Sequence, residues 1–427
     1  MNLGAFVAAA IPLSWTAQRL RGHFRLRPTL LYNPPMNTIS MRTSLGILTL
    51  LVACGTSESG MGGDGGAGGT GGTGGVDFTT FEWTELNGDA PWAARAGLHT
   101  VELDGRFYLM GGRTPTDPMG APFIPADFWA DVWASDDEGV TWQQILSNDT
   151  PGHWAPRAYF QAVVKGDAMY VLGGQDFGFP SSNFYSDVWS SEDGITWTEH
   201  TAAAGWEPRA GLRAVTFRNE IYIFGGSQFD DESLPGPAGP ARIYYNDVWK
   251  SADGASWQEM TGDAPWAPRA GAVVVVKDDY MYLLGGEAGF LCDTQADPDC
   301  ELPYFNDVWR SQDGANWELV TESAGWSPRP GHQCAVSFGN IVCWGGFGLP
   351  ENPMDVWVSP DGATWTQVSD SPWDAESSDD VKYDFEGIAV GDVIYTFGGD
   401  RETFDFEDPT NYLRVDNDVW RYALPTP

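Results

Sequence analysis

A pair of glycines ends an apolar run six times along this chain, at Gly111-Gly112, Gly173-Gly174, Gly225-Gly226, Gly285-Gly286, Gly345-Gly346 and Gly398-Gly399. The string Asp-Val-Trp also occurs six times, carrying Trp133, Trp189, Trp249, Trp309, Trp357 and Trp420. The first five are followed by a further tryptophan: Trp142, Trp197, Trp257, Trp317 and Trp365. A period of about 50–60 residues, made of several short strands, marks a radial repeat, because one such unit cannot bury its own apolar face and must stack on neighbours.

The second unit shows the internal plan. Its spacing predicts strand a over 158–165, strand b over 168–172, strand c over 184–190 and strand d over 195–199. Asp193-Gly194 between c and d is a hairpin turn that needs positive φ. The glycine pair marks a place that tolerates no Cβ. The sixth unit stops after Trp420 without a strand d, and Phe81-Glu82-Trp83-Thr84-Glu85-Leu86 resembles the missing strand. The N-terminal strand therefore closes the ring and removes the open edges of a partial one. The expected fold is all-β: a six-bladed β-propeller of four-stranded antiparallel blades. Eighteen tryptophans recur at three per blade, counting Trp83, Trp92, Trp154, Trp206, Trp266, Trp326 and Trp373, and read as core and blade contacts. The Asp of Asp-Val-Trp reads as a turn or backbone hydrogen-bond acceptor.

The glycine pair, the aromatic four-stranded unit and the late Trp resemble kelch repeats over residues 78–424, with Asp-Val-Trp where many kelch repeats have a Tyr. Ser135-x-Asp137-x-Gly139-x-Thr141-Trp142 is similar to the Asp-box of sialidases, a peripheral hairpin without catalytic duty. The four equivalents, such as Ser191 to Trp197, are a residue shorter.

Composition breaks sharply at Cys54. Residues 1–53 hold five Arg and no Lys, Asp or Glu. From Cys54 on there are 18 Lys+Arg against 59 Asp+Glu, a net charge of −41. A surface this acidic repels nucleic acid and anionic membranes. Leu45 to Leu51 is apolar but too short to span a bilayer, and reads as a signal-peptide core. Leu51-Val52-Ala53-Cys54 resembles the lipobox of bacterial lipoproteins, a simple cleaved signal being the alternative. The true start is then Met36 or Met41, or the signal is unusually long. Gly55 after the cysteine implies, by the same resemblance, the outer membrane. Gly60 to Gly75 is a flexible tether. The expected organisation is 1–53 export signal, 54–77 lipidated cysteine and tether, and 78–427 propeller, acting as a monomer whose only membrane attachment is the lipid. Four further cysteines in an exported protein suggest two disulfides, Cys292–Cys300 and Cys334–Cys343. Hairpin register about Phe338-Gly339 places the second pair directly opposite each other.

Function is sought where the repeat is broken, with one exception. Sixteen residues before each glycine pair stands Arg95, Arg157, Arg209, Arg269, Arg329 or Lys382. This position immediately precedes strand a, the strand nearest the axis. By the kelch resemblance, arginines there line a ligand pocket. The six cations therefore either form a basic ring at the channel mouth that binds anions, or pair with blade carboxylates and tie the ring together. The b-to-c connections, about 113–127, 175–183, 227–243, 287–303, 347–354 and 400–417, vary in length and sequence on a constant scaffold. They offer Arg113, Gln175, Phe177, Glu287, Phe290, Asp400 and Arg401 as ligand contacts. Phe179 and Phe347 are aromatics for stacking on a sugar or for folding back over the blades. In blade six, Lys382-Tyr383-Asp384-Phe385-Glu386 replaces Pro-Arg-x-Gly, so Asp384 is a weak candidate general base, with Tyr383 and Glu287, or else an ion-pair partner of Lys382. His99, His153, His200 and His332 lack metal-ligand spacing, and no phosphate-binding, dinucleotide or serine-elbow motif is present. Asp293, Asp297 and Asp299 are a weak Ca²⁺ candidate, and no other cofactor is implied.

The expectation is a non-catalytic binding protein at the cell envelope that holds an acidic carbohydrate or an acidic protein segment. The alternatives are a carbohydrate-active enzyme, similar to the kelch sialic-acid mutarotase or to sialidases, and a structural scaffold. The lipobox resemblance is directly testable: mass spectrometry of detergent-extracted protein should find a mature chain that begins at acylated Cys54, and a free thiol there refutes the anchor.

Overall fold

The structure, a computed structural model, describes residues 76–116, 126–176, 182–228, 243–289, 303–348, 352–373, 381–401 and 413–425. Cys54, the tether, Cys292, Cys300, Asp293, Asp297, Asp299, Phe177, Phe179 and Phe290 lie outside the described residues.

Six four-stranded antiparallel sheets make up a six-bladed β-propeller. The first strand of each blade packs against the first strand of the next, and the sixth returns to the first. Blade 2 runs Gln161–Lys165, Ala168–Leu172, Val188–Ser191 and Thr198–Thr201. Strand b is as expected, strand a starts three residues late and strand c four, and strand d starts three residues late. For strand d the cause is local: the Asp193 carboxylate accepts the backbone N–H groups of Ile195 and Thr196, which holds both in the turn. Closure is as the sequence requires. Glu82–Asn87 pairs with Val415–Ala423, Trp83 facing Tyr422, and completes blade 6.

Each tryptophan set has one task. The late Trp of a blade donates its indole N–H to the turn glycine of its own hairpin, as Trp142 does to Gly139. Its ring meets the Trp that follows the previous blade's d strand edge-on, for example Trp92–Trp142 at 6.4 Å and Trp154–Trp197 at 6.0 Å. Such pairs add about 0.5–1.5 kcal/mol each beyond the area they bury. In five blades the Trp of Asp-Val-Trp donates to the Asp two residues earlier.

That Asp does more than cap a turn. Each of the five repeated arginines is at most 2% exposed, and its guanidinium grips the Asp of its own blade with two hydrogen bonds: Arg95–Asp131, Arg157–Asp187, Arg209–Asp247, Arg269–Asp307 and Arg329–Asp355, with the shorter contact at 2.5–2.6 Å. Lys382 pairs with Asp416 and Asp418. The same Nη1 also donates to the first glycine of the pair, as from Arg95 to Gly111 O at 2.9 Å. The residue's carbonyl accepts the second glycine's N–H from the previous blade, as from Gly112 to Arg157 O at 2.9 Å. The glycines are obligatory: a Cβ on Gly111, at φ 64°, would lie 2.3 Å from the Phe160 ring of the next blade.

Two residues past each cation the chain touches the axis. Gly97, Tyr159, Gly211, Gly271, Gly331 and Asp384 all adopt left-handed φ, between 50° and 65°. Each donates its N–H to the carbonyl of the equivalent residue in the preceding blade, at 2.9–3.3 Å, and Gly97 closes the circle on Asp384. A girdle of six backbone hydrogen bonds thus encircles the channel.

Blade 5 carries the expected cross-strand disulfide Cys334–Cys343, with the two residues directly paired in register.

A buried ion pair broken on one side leaves an uncompensated charge, which costs about 3–5 kcal/mol. Arg209→Ala and Asp247→Ala should each lower stability by that order in chemical denaturation, with the double variant well short of the sum of the two. Additive losses would mean that the pair is not coupled.

Candidate functional site

The basic ring does not exist as a ligand surface. Arg95, Arg157, Arg209, Arg269, Arg329 and Lys382 are buried and spent on blade carboxylates, because Asp-Val-Trp places one acceptor opposite each cation. Nor does Asp384 pair with Lys382, whose ammonium faces Asp416 and Asp418. Phe347 is fully buried and stacks on nothing from outside; it packs on Tyr383 at 5.1 Å and Tyr304 at 6.1 Å.

The polar residues that differ between blades gather around the axis in two tiers. The upper tier is the residue after each glycine pair: Arg113, Gln175, Ser227, Glu287, Phe347 and Asp400. Five of them are tied to the residue just after the repeated cation by paired backbone hydrogen bonds, and Phe347 donates to Pro330 O. Around blade 1 two of the sequence candidates, Arg113 and Asp400, meet, together with Tyr159, which the sequence did not single out. Arg113 Nη2 lies 2.6 Å from Asp400 Oδ2, and its Nε donates to the Tyr159 hydroxyl at 2.8 Å. Burial opposes the charge on Arg113, but Tyr159 and Asp400 more than restore it and hold its pKa well above the ordinary value. Asp384 lies beside this group; burial pushes the Tyr159 hydroxyl well above its ordinary value against the pull of Arg113, with Asp384 and Asp400 adding to the rise. On the opposite arc Glu287 sits with Tyr304, whose hydroxyl is pushed up by burial and by the Glu287 charge. Arg401 is half-buried against Asp416 at 3.2 Å, and Gln175 is buried between Ala158 and Phe184.

The lower tier went unrecognised in the sequence. Four residues past each repeated cation stand His99, Gln161, Arg213, Val273, Gln333 and Glu386. All but Val273 line an axial chamber of about 60 Å³ just inside the girdle, room for a few waters or one small ion. Their hydrogen bonds fix the roles. Gln161 Oε1 accepts the Ala214 N–H, so its amide nitrogen faces His99 Nε2 at 2.8 Å. His99 Nε2 must then accept, which leaves the proton on Nδ1, 3.2 Å from Glu386 Oε2. Gln333 donates to Phe385 O at 2.7 Å and accepts from Arg213 Nη2. Burial pushes Glu386 up to about 8 against the pull of Arg213, so its carboxyl keeps a proton at neutral pH. Burial and the Arg213 charge push His99 down to about 3. His332 borders the chamber with its backbone, while its ring packs on Trp326 at 5.3 Å and against Gly285 of the preceding blade; burial, then Arg329 and Arg213, drive it to about 3. The lower tier was visible in principle: five polar residues of four kinds, His99, Gln161, Arg213, Gln333 and Glu386, occupy one register at the start of the axial strand.

Arg213 is half-buried, its burial lowers its pKa, and its one hydrogen bond is to the neutral Gln333 amide. No carboxylate among the described residues comes within 4.0 Å of it. Among the described residues no three His, Cys, Asp or Glu side chains come together to hold a metal ion.

No protein-family profile matches the chain. A stretch of 191 residues, 43% of the chain, is 30% identical to the flagellar outer-arm dynein alpha chain of Chlamydomonas reinhardtii, and this chain spans 4% of that protein's length. The solved structure of YjhT superposes with a TM-score of 0.56 at 14% identity, over 74% of this chain and 93% of YjhT. That likeness establishes the propeller fold alone.

The axial groups set a pH profile. Between about pH 3 and 6.5 the unfolded chain binds protons on His99 and His332 that the folded protein excludes, so stability rises with pH. Between pH 6.5 and about 8 the folded protein keeps the Glu386 proton that the unfolded chain has lost, so stability falls as pH rises. Unfolding free energies from urea titration should therefore decline from pH 6.5 to 8 by up to about 2 kcal/mol, and Glu386→Gln should flatten that decline. An unchanged slope in the variant assigns it to other groups.

Proposed function

We propose that this protein is a ligand-binding propeller of the kelch type, anchored at the cell envelope by a lipid on Cys54, and that it takes an acidic carbohydrate or an acidic protein segment at the end of the ring where the b-to-c connections emerge. The observation that supports this reading is the division of labour among polar side chains. Every repeated cation is neutralised inside its blade, whereas the blade-specific residues Arg113, Gln175, Glu287 and Asp400 converge at the root of the connections, above the girdle. A symmetric frame that presents unlike side chains around one axis suits recognition of an asymmetric ligand. The preference for an acidic partner passes from the six buried cations to Arg113, the guanidinium of this upper tier.

A second reading, a carbohydrate-active enzyme on an acidic sugar, is favoured by one feature: the Asp400 carboxylate, the Arg113 guanidinium and the Tyr159 hydroxyl meet in the upper tier, groups that can bind a sugar acid and move a proton on it. The two readings separate on turnover. Detergent-solubilised full-length protein applied to glycan and peptide arrays should retain acidic ligands over neutral ones. Arg113→Gln should weaken that retention by about ten-fold or more, the scale of one lost charged hydrogen bond, while Arg218→Ala at the exposed rim should not. A bound sugar whose anomers interchange faster with protein, followed by proton NMR, moves the assignment to the enzyme. Equal retention of neutral and acidic ligands removes the charge preference.

A further inference from the structure

Below the girdle lies a charge that the fold leaves unanswered. Arg213 enters the axial chamber from blade 3, with only the Gln333 carbonyl oxygen as partner. The six repeated cations show how this chain treats a buried cation when its role is structural: five arginines take a bidentate aspartate and Lys382 takes two. Arg213 breaks that rule. A half-buried guanidinium without a counter-charge calls for an anion at its open face.

The rest of the chamber agrees. The carboxyl that faces it, Glu386, carries a proton and so presents a donor in place of a negative charge. The buried His99 Nδ1 makes no well-aligned bond. A polar atom left so on the wall of a cavity points to an occupant that is not protein. Size limits the occupant: about 60 Å³ accommodates an ion of halide size with a water or two, and is far short of the several hundred Å³ of a pocket for a sugar. Access is uneven. Around the girdle the Tyr159 ring lies over Gly97 and the Asp384 carboxylate over Gly331, while Gly211 and Gly271 meet only Ala270 and Pro330. The bare arc therefore stands over blades 3 and 4, on the side of Arg213.

We infer that the axial chamber is a binding site for one small inorganic monovalent anion of halide size, seated on the Arg213 guanidinium and held by Gln333-oriented N–H groups and the Glu386 carboxyl. The site is separate from the acidic-ligand surface above the girdle and does not depend on it. The groups around Glu386 are His99 from blade 1, Tyr159 from blade 2, Arg213 from blade 3, Gln333 and, with its ring turned onto Trp326, His332 from blade 5, and Asp384 on its own strand. Of these, His99 and His332 stay neutral down to about pH 3, so Glu386 is the group that makes anion affinity fall as pH rises through about 8.

Crystals of the protein soaked in sodium bromide test this directly. Anomalous scattering should show bromide within hydrogen-bond reach of Arg213, and an empty chamber overturns the inference. In solution, the thermal midpoint should rise saturably with bromide or chloride against sodium gluconate at constant ionic strength. The rise should shrink at least several-fold from pH 6 to pH 9, and keep its pH 6 size in Glu386→Gln. Arg213→Gln should abolish it. The wild-type arms stand even where that variant fails to fold. A midpoint that responds equally to gluconate and bromide overturns the proposal. So does displacement of bromide by an acidic ligand retained on the arrays, because the chamber then holds that ligand's carboxylate; the reading of the surface above the girdle survives in that case. Loss of array binding with bromide still on Arg213 has the opposite meaning.

Discussion

The arginine–aspartate clasp is the contact on which the rest of this propeller depends. Its two partners are far apart in sequence, 36 residues in blade 1, 38 in blades 3 and 4, and only 26 in blade 5. What lies between them is strands a and b and the whole b-to-c connection. The clasp therefore pins both ends of each connection to the same place whatever its length. Because the arginine backbone also receives the previous blade's second glycine N–H, the clasp registers one blade on the next. A buried ion pair of this kind contributes little net stability compared with an apolar substitute, but a b-to-c connection that returned one residue out of step would strand both charges of its clasp. Its use is to make the alternatives costly.

That same economy explains why the functional candidates are few. With net charge −41 after Cys54, this chain has many more carboxylates than cations, and the six repeated cations are consumed inside the blades. Positive potential at the axis then comes from arginines that occur once, Arg113 and Arg213. They face different surroundings. Arg113 is answered by Asp400 and the Tyr159 hydroxyl. Arg213 is answered by an amide, so the chamber beneath is cationic while Glu386 holds its proton. Only a few ångströms of backbone separate the two tiers.

Most of the architecture was legible in the sequence, because it rests on features repeated six times. The blade count, the closing strand at Glu82–Asn87 and the Cys334–Cys343 pair follow from spacing and register, and the structure has all three. The roles of charged side chains were less legible. Arg95 and its equivalents stand sixteen residues before a glycine pair in either reading, and only the orientation of the guanidinium tells a ring of ligands from a set of clasps. Glu386 was legible as a departure from the repeat but not as an acid, because its elevated pKa comes from burial at the axis. His99 and Gln161 were invisible as a pair: 62 residues separate them, and what joins them is the closure of the ring.

The girdle shows where the repeat yields to function. Its geometry demands left-handed φ at all six positions, and glycine meets that demand freely at Gly97, Gly211, Gly271 and Gly331. Tyr159 and Asp384 occupy it at a cost of about 1 kcal/mol or more each, since a side chain disfavours that region. Nothing in blade packing requires them, because four blades do without. Each side chain reaches over the glycine of the preceding blade, Tyr159 over Gly97 and Asp384 over Gly331, and Tyr159 then meets Arg113. The strained residues are thus the ones that turn a six-fold neck into a lopsided one, covered at blades 1 and 5 and open at blades 3 and 4. That leaves the neck open on one side, with Arg213 beneath it.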